Sequence, residues 1–194
     1  MVCRAVHIDL TQAYHTHALL QALTRFVALR GTPKRFLSDQ STQLVACSKE
    51  VSVMLELTDW SIIEGWCSRR SIEWHVVPPQ GLHMNGVTES LIRSTKNILK
   101  QSIDGKRLTF IETQTVMHEV AQLLNSRPLG VYSKPGSDPL DGGPITPNHL
   151  LLGRASSNIP NHQYSNLSLT KRLRFQQTIV EVFWKNGRWL YFIL

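Results

Sequence analysis

An α/β fold, a mixed sheet flanked by helices with a helical extension at its C-terminal end, is predicted by three observations. Strand-period and helix-period segments alternate over residues 2 to 70; a half-buried strand follows and stops at Pro78-Pro79; amphipathic helices then take over.

Residues 2 to 10 place Val2, Ala5, Val6, Ile8 and Leu10 in a partly two-residue rhythm and read as a strand. From Thr16 to Arg30, the apolar positions Leu19, Leu20, Leu23, Phe26, Val27 and Leu29 recur at helical spacing, and Gly31 before Thr32-Pro33 is a stop signal. Arg35-Phe36-Leu37-Ser38 is a short strand delivering Asp39, and a helical region is expected within Ser48 to Arg70. Ser71 to Val77 sets Ile72, Trp74 and Val76 against Glu73 and His75, the alternation of a half-buried strand. Residues 80 to 86 are expected to be a loop. A helix over 88 to 101 groups Leu91, Ile92, Thr95, Ile98 and Leu99 as a core face, with Glu89, Arg93, Lys96 and Lys100 on the other. Thr109 and Glu112 have the spacing of a capping box, opening a helix with Ile111, Val116, Met117, Val120, Leu123 and Leu124 inward and stopping before Arg127-Pro128. Residues 130 to 147 are dense in glycine and proline and read as an ordered loop or linker; a last amphipathic helix is expected from about Thr170 to Trp184.

At 194 residues, 42% hydrophobic and 18% charged, the composition is that of a globular chain, not a disordered one. No apolar run reaches the roughly 18 residues of a membrane span, and the first residues lack a signal-peptide core; a nuclear or cytoplasmic, unsecreted protein is expected. Cys3, Cys47 and Cys67 form neither an even set nor a C-x-x-C pair, so they read as small buried residues. A net charge of +7 favours polyanionic partners, because neutralising phosphates releases condensed counterions. Solvated lysine faces produce the same number, so charge alone does not assign DNA.

Asp39 and Glu89 are the candidate metal-binding and catalytic residues. Two carboxylates converging from a strand end and a helix offer the hard oxygen ligands that Mg²⁺ takes, and divalent cations activate the attacking and leaving oxygens of a phosphodiester. Arg93, Lys96 and Lys100 continue from Glu89 along one helical face and are candidate phosphate contacts. The competing explanations are ordinary: an Asp after a short strand is common at turns, a Glu in a helix's first turn is favoured by the dipole, and a cationic stripe is often a solvated face. His15-x-His17 has metal-like spacing but no cysteine or carboxylate beside it in the sequence.

Arg4 to Ile8, Arg25-Phe26 with Arg30-Gly31-Thr32-Pro33, Ser38-Asp39 with Thr42, Trp74, Pro78-Pro79, His83 to Ser94, Leu124-Asn125-Ser126-Arg127-Pro128, and Ile145 to Arg154 form a series of segments running in order along almost the whole chain. Together they resemble the integrase of BEL/Pao-type retroelements, within the retroviral-integrase, ribonuclease-H-like superfamily. The resemblance implies an incomplete ribonuclease-H-like core over residues 1–128, a loop-rich linker with a short helix over 129–165, and the start of a truncated C-terminal domain over 166–194.

It further implies a Mg²⁺- or Mn²⁺-dependent polynucleotidyl transferase that processes element DNA ends and joins them to target DNA through an Asp, Asp, Glu triad. Asp39 matches the second acid and Glu89 the third. The first acid belongs to a strand preceding the segment like Arg4 to Leu10, so it is expected to be missing; Asp9 stands on a different strand. Gln40-Ser41-Thr42-Gln43 also departs from the family's Asn-Gly turn, where glycine permits a backbone shape Ser41 resists. Expected partners are DNA, as element ends and target, and a homo-oligomer, with no membrane. This chain alone is expected to be inactive, which leaves two rivals: a non-catalytic nucleic-acid-binding relic and an interaction protein without a nucleic-acid role.

Overall fold

The computed structural model describes residues 4–13, 15–39, 59–77, 82–105, 107–131, 143–154 and 170–187. The chain divides into two compact units, one of residues 9–86 and one of residues 1–8 with 87–194.

In the unit of residues 9–86, helix α1 (Thr16–Arg30) leads into strand β1 (Arg35–Asp39), helix α2 (Trp60–Ser68) and strand β2 (Glu73–Val77). Helix α1 ends where the sequence predicts: Gly31 has φ 83°, which glycine adopts without steric cost, and its N–H donates to the Val27 carbonyl. Helix α2 is capped by Asp59, whose carboxylate accepts from the Ser61 N–H at 3.0 Å and from its hydroxyl at 2.6 Å. Asp59's own N–H donates to the buried Thr16 Oγ1, 2.7 Å away, so the two helix starts are tied together. Strands β1 and β2 pair in parallel with Arg35 opposite Glu73 and Asp39 opposite Val77. Ile63, Trp66, Cys67 and Ile72 form the buried centre, with Leu19, Leu20, Leu23, Val27, Phe36 and Trp74 packed against it. Leu29 is the exception among the α1 leucines at 70% exposed.

Helix α3 (Leu82–Ile103) belongs from Val87 onward to the other unit, where it and helix α4 (Phe110–Asn125) are followed by strands β3 (Gly130–Val131) and β4 (Pro144–Ile145), helix α5 (Pro147–Leu152) and helix α6 (Lys171–Gly187). Strands β3 and β4 pair antiparallel over two residues each. Ile98 and Leu99 of α3, Val116, Val120, Leu123 and Leu124 of α4, and Ile179, Val180 and Phe183 of α6 make one core. The predicted C-terminal extension therefore packs into the same hydrophobic cluster as α3 and α4. Fully burying each such side chain contributes roughly 1.5–3 kcal/mol, which is what holds three amphipathic helices together.

Four expectations are corrected. Residues 4 to 10 are not a strand: the Val6 N–H donates to Asn125 Oδ1 at 2.7 Å and its carbonyl accepts from Asn125 Nδ2 at 2.8 Å, so an amide side chain occupies the positions a neighbouring strand would. The loop expected over 80 to 86 is helical from Leu82, because the last proline is Pro79 and Gly86 alone costs a helix only about 1 kcal/mol. Ile92 is 49% exposed, not inward; the buried stripe of α3 runs through Thr95, Ile98, Leu99 and Ser102. Ile111 is 73% exposed because the buried stripe of α4 begins at Glu112 and continues through Val116, Val120 and Leu123, about 100° around the helix. The helical region expected within 48 to 70 is α2 where it is described; residues 48 to 58 and the Gln40-Ser41-Thr42-Gln43 turn lie outside the described residues. The whole is an α/β, helix-rich chain with a small parallel sheet. No helix among the described residues is long and apolar enough to cross a membrane.

Candidate nucleic-acid interface

Helix α3 is two-faced by sequence, and its burial follows. Thr95, Ile98, Leu99 and Ser102 are buried, whereas Arg93, Lys96 and Lys100 are all exposed. Thr95 and Ser102 tolerate that burial because their hydroxyls donate back to the Leu91 and Ile98 carbonyls, each at 2.7 Å. At 100° per residue, Arg93, Lys96 and Lys100 fall within an arc of about 60°, and Arg93 and Lys100 are separated by about 10 Å of helix axis. Among the described residues, none of these three side chains makes a hydrogen bond or an ion pair. A stripe of unpaired cations on a packed helix presents fixed positive charge at the spacing of about three base-pair rises of duplex DNA.

Glu89 lies on the same helix, but not near its start. Since α3 begins at Leu82, Glu89 is two turns in, beyond the first turn where the helix dipole favours a carboxylate. The ordinary explanation for a glutamate there is thereby weakened. Its side chain lies outside the described residues, as does that of Asp39. Asp39 closes β1 at the carboxyl end of the parallel pair, the end at which open α/β sheets bind ligands. Asp39 belongs to the unit of residues 9–86 and Glu89 to the other.

Local packing fixes the strand that carries Asp39. The Trp74 indole N–H donates to Ser38 Oγ at 2.9 Å, and Phe36 packs on Trp74 with ring centroids 5.3 Å apart. Trp60 meets Trp74 edge-on with ring centroids 5.9 Å apart. On the exposed side of the pair, Glu73 lies 3.2 Å from His75 and accepts from Arg35 at 3.0 Å, contacts that in that order lower its carboxyl from the ordinary value.

Other metal-like residues have structural partners. Asp9 accepts from Arg25 Nε at 2.7 Å and from the Leu10 N–H at 2.8 Å, which engages both of its oxygens. His15 caps α1 by accepting from the Ala18 N–H at 3.2 Å, and the His15 and His17 rings sit 6.2 Å apart at a steep angle. Among the described residues, no group of three His, Cys, Asp or Glu is placed to hold a metal ion. Cys67 is buried and its thiol is pushed up by that burial, which makes it a packing residue instead of a nucleophile; Cys3 and Cys47 lie outside the described residues. A cavity of about 390 Å³ along α1, lined by His17, Leu20, Gln21, Thr24 and Arg25, touches none of the candidate residues.

The polar anchors of the other unit were not read from the sequence as such. Asn125 is 2% exposed and holds Val6; buried Arg127 donates to the Leu124 carbonyl at 2.5 Å and to the Arg4 carbonyl; Asn148 donates to Ser126 Oγ at 3.0 Å. Their signal was the Asn-Ser-Arg-Pro segment, whose polarity at a helix end has no apolar-pattern explanation. No protein-family profile matches the chain, and no curated protein matches it.

Proposed function

We propose that this chain carries an integrase-type α/β core that grips duplex DNA through the cationic face of α3. The observation that carries the reading is the exposure of Arg93, Lys96 and Lys100 on one face of a helix whose opposite face is core, with no side-chain partner among the described residues. Exposed cations grouped on one face of a packed helix, with no partner among the described residues, favour phosphate contacts over a merely solvated surface.

In this reading Asp39 and Glu89 are each a carboxylate ligand for Mg²⁺ or Mn²⁺. Their oxygen donors suit a hard cation, and the end-of-strand position of Asp39 and the mid-helix position of Glu89 both support it. When bound, the metal would supply Lewis-acid activation of the phosphodiester. The chain's own contribution is to position the DNA backbone: α3 carries the third acid and the phosphate contacts on one helix, so gripping DNA also sets its register against Glu89. The alternative of an interaction protein without a nucleic-acid role predicts no dependence on these cations.

Alanine substitution at Arg93, Lys96 and Lys100 tests the reading. Each change is expected to weaken binding of duplexes of unrelated sequence by a similar factor, the mark of a backbone contact. Unchanged affinity in all three variants would overturn it.

A further inference from the structure

We infer that the DNA track does not end with α3 but continues across Arg107 to Lys171 at the start of α6, an extension that rests on the reading above. The Arg172 guanidinium donates to the Arg107 carbonyl at 3.1 Å and to Glu112 Oε2 at 2.7 Å, so the start of α6 is clamped to the connection that follows α3. Lys100 stands in the last turn of α3, and its carbonyl accepts from the Asp104 N–H as the helix ends. Leu108, next to Arg107, and Ile103, next to Asp104, both pack on the core shared by α3, α4 and α6. Ile103 and Leu108 are thereby held on one core, and the Arg172 clamp brings the start of α6 alongside Arg107.

Arg107 and Lys171 are exposed, and neither side chain makes an ion pair or hydrogen bond among the described residues. Lys171 opens α6, where the macrodipole disfavours a cation and where the first turn carries no acid. Local helix stability gives no reason for a lysine there. Glu112 is taken by Arg172, and Asp104, at the end of α3, is exposed and makes no ion pair among the described residues. Lys100, Arg107 and Lys171 thus leave an excess of positive charge along one border of the unit, and its complement is the same polyanion that α3 holds.

The test uses the full chain, a fluorescent short DNA duplex, and salt varied between about 50 and 200 mM. Arg107→Ala with Lys171→Ala is expected to lower the slope of log affinity against log salt by about 2, one per phosphate contact, with the thermal midpoint unchanged. Lys171→Arg, which keeps the charge, is expected to keep the slope. If the double variant retains the wild-type slope while the α3 variants lose theirs, the extension is overturned and the α3 reading stands. If the α3 variants also keep their slope, both fall. Binding to vesicles of phosphatidylserine and phosphatidylcholine that is lost in the double variant, with duplex binding untouched, would assign the patch to a lipid surface and overturn the extension.

Discussion

Arg172 donates to both carboxylate oxygens of Glu112, sixty residues away in the chain, and so ties helix α6 to the N-terminus of α4. Glu112 also accepts from the Thr109 N–H at 2.7 Å and hydroxyl at 2.9 Å, completing the capping box. The Arg172 contact first, then the Thr109 N–H, hold the Glu112 carboxyl down from 4.5 to about 2 against the opposing effect of burial. A carboxylate depressed on folding adds stability that is full above its unfolded value and is lost as pH falls through the folded one. The thermal midpoint should therefore drop as pH is lowered from about 4.5 to about 2. Arg172→Gln should flatten that part of the profile while lowering the midpoint at neutral pH; an unchanged acid profile would refute the linkage.

Glu119 is the opposite case, because partial burial pushes its carboxyl up. Folding is then penalised wherever the unfolded residue would ionise more readily. Glu119→Gln is expected to raise the midpoint at neutral pH, with the gain shrinking in acid as Glu119 protonates. Thermal melts across the pH range check the sign.

Phe183 of α6 is 2% exposed within the core shared with α3 and α4. Phe183→Ala should cost about 3–5 kcal/mol, the range for truncating a buried aromatic residue. Chemical denaturation measures it, and a loss below about 1 kcal/mol would mean that α6 is not an integral part of that core.

Trp74 secures the strand bearing Asp39 by donating its indole N–H to Ser38. Ser38→Ala should cost about 1–3 kcal/mol, since a partly buried donor loses its acceptor. The same denaturation experiment reads it, and no loss would show that water replaces the contact.

Much of this architecture was legible in local pattern. The span of α1 with its Gly31 stop, the Thr109 and Glu112 capping box, and the two strands on either side of α2 follow from spacing and capping chemistry alone. What escaped was non-local. The Val6 segment has strand periodicity, yet its hydrogen bonds go to a side chain 119 residues later, which no window of sequence reveals. Ile111, expected inward, is exposed, and Glu112 is buried beside it because the ion pair that makes its burial tolerable comes from Arg172. For the candidate site, helical spacing was enough to put Arg93, Lys96 and Lys100 on one exposed face. Glu89 stands two turns into that helix, not near its start, because residues 82 to 86, expected to be loop, are helical.

The proposed metal role of the two acids has its own consequence. Mn²⁺ added to the full chain should be withdrawn from its free paramagnetic signal, and Asp39→Asn and Glu89→Gln should each reduce the amount bound. Equal binding in wild type and both variants would remove these residues from any metal site.

The most direct measurement of the central claim is the salt dependence of duplex binding for wild type against the triple variant Arg93→Ala, Lys96→Ala and Lys100→Ala. With three phosphate contacts on α3, the slope of log affinity against log salt should become shallower by about 2.7 in the triple variant. A triple variant whose slope equals that of the wild type would contradict the assignment of this face to DNA.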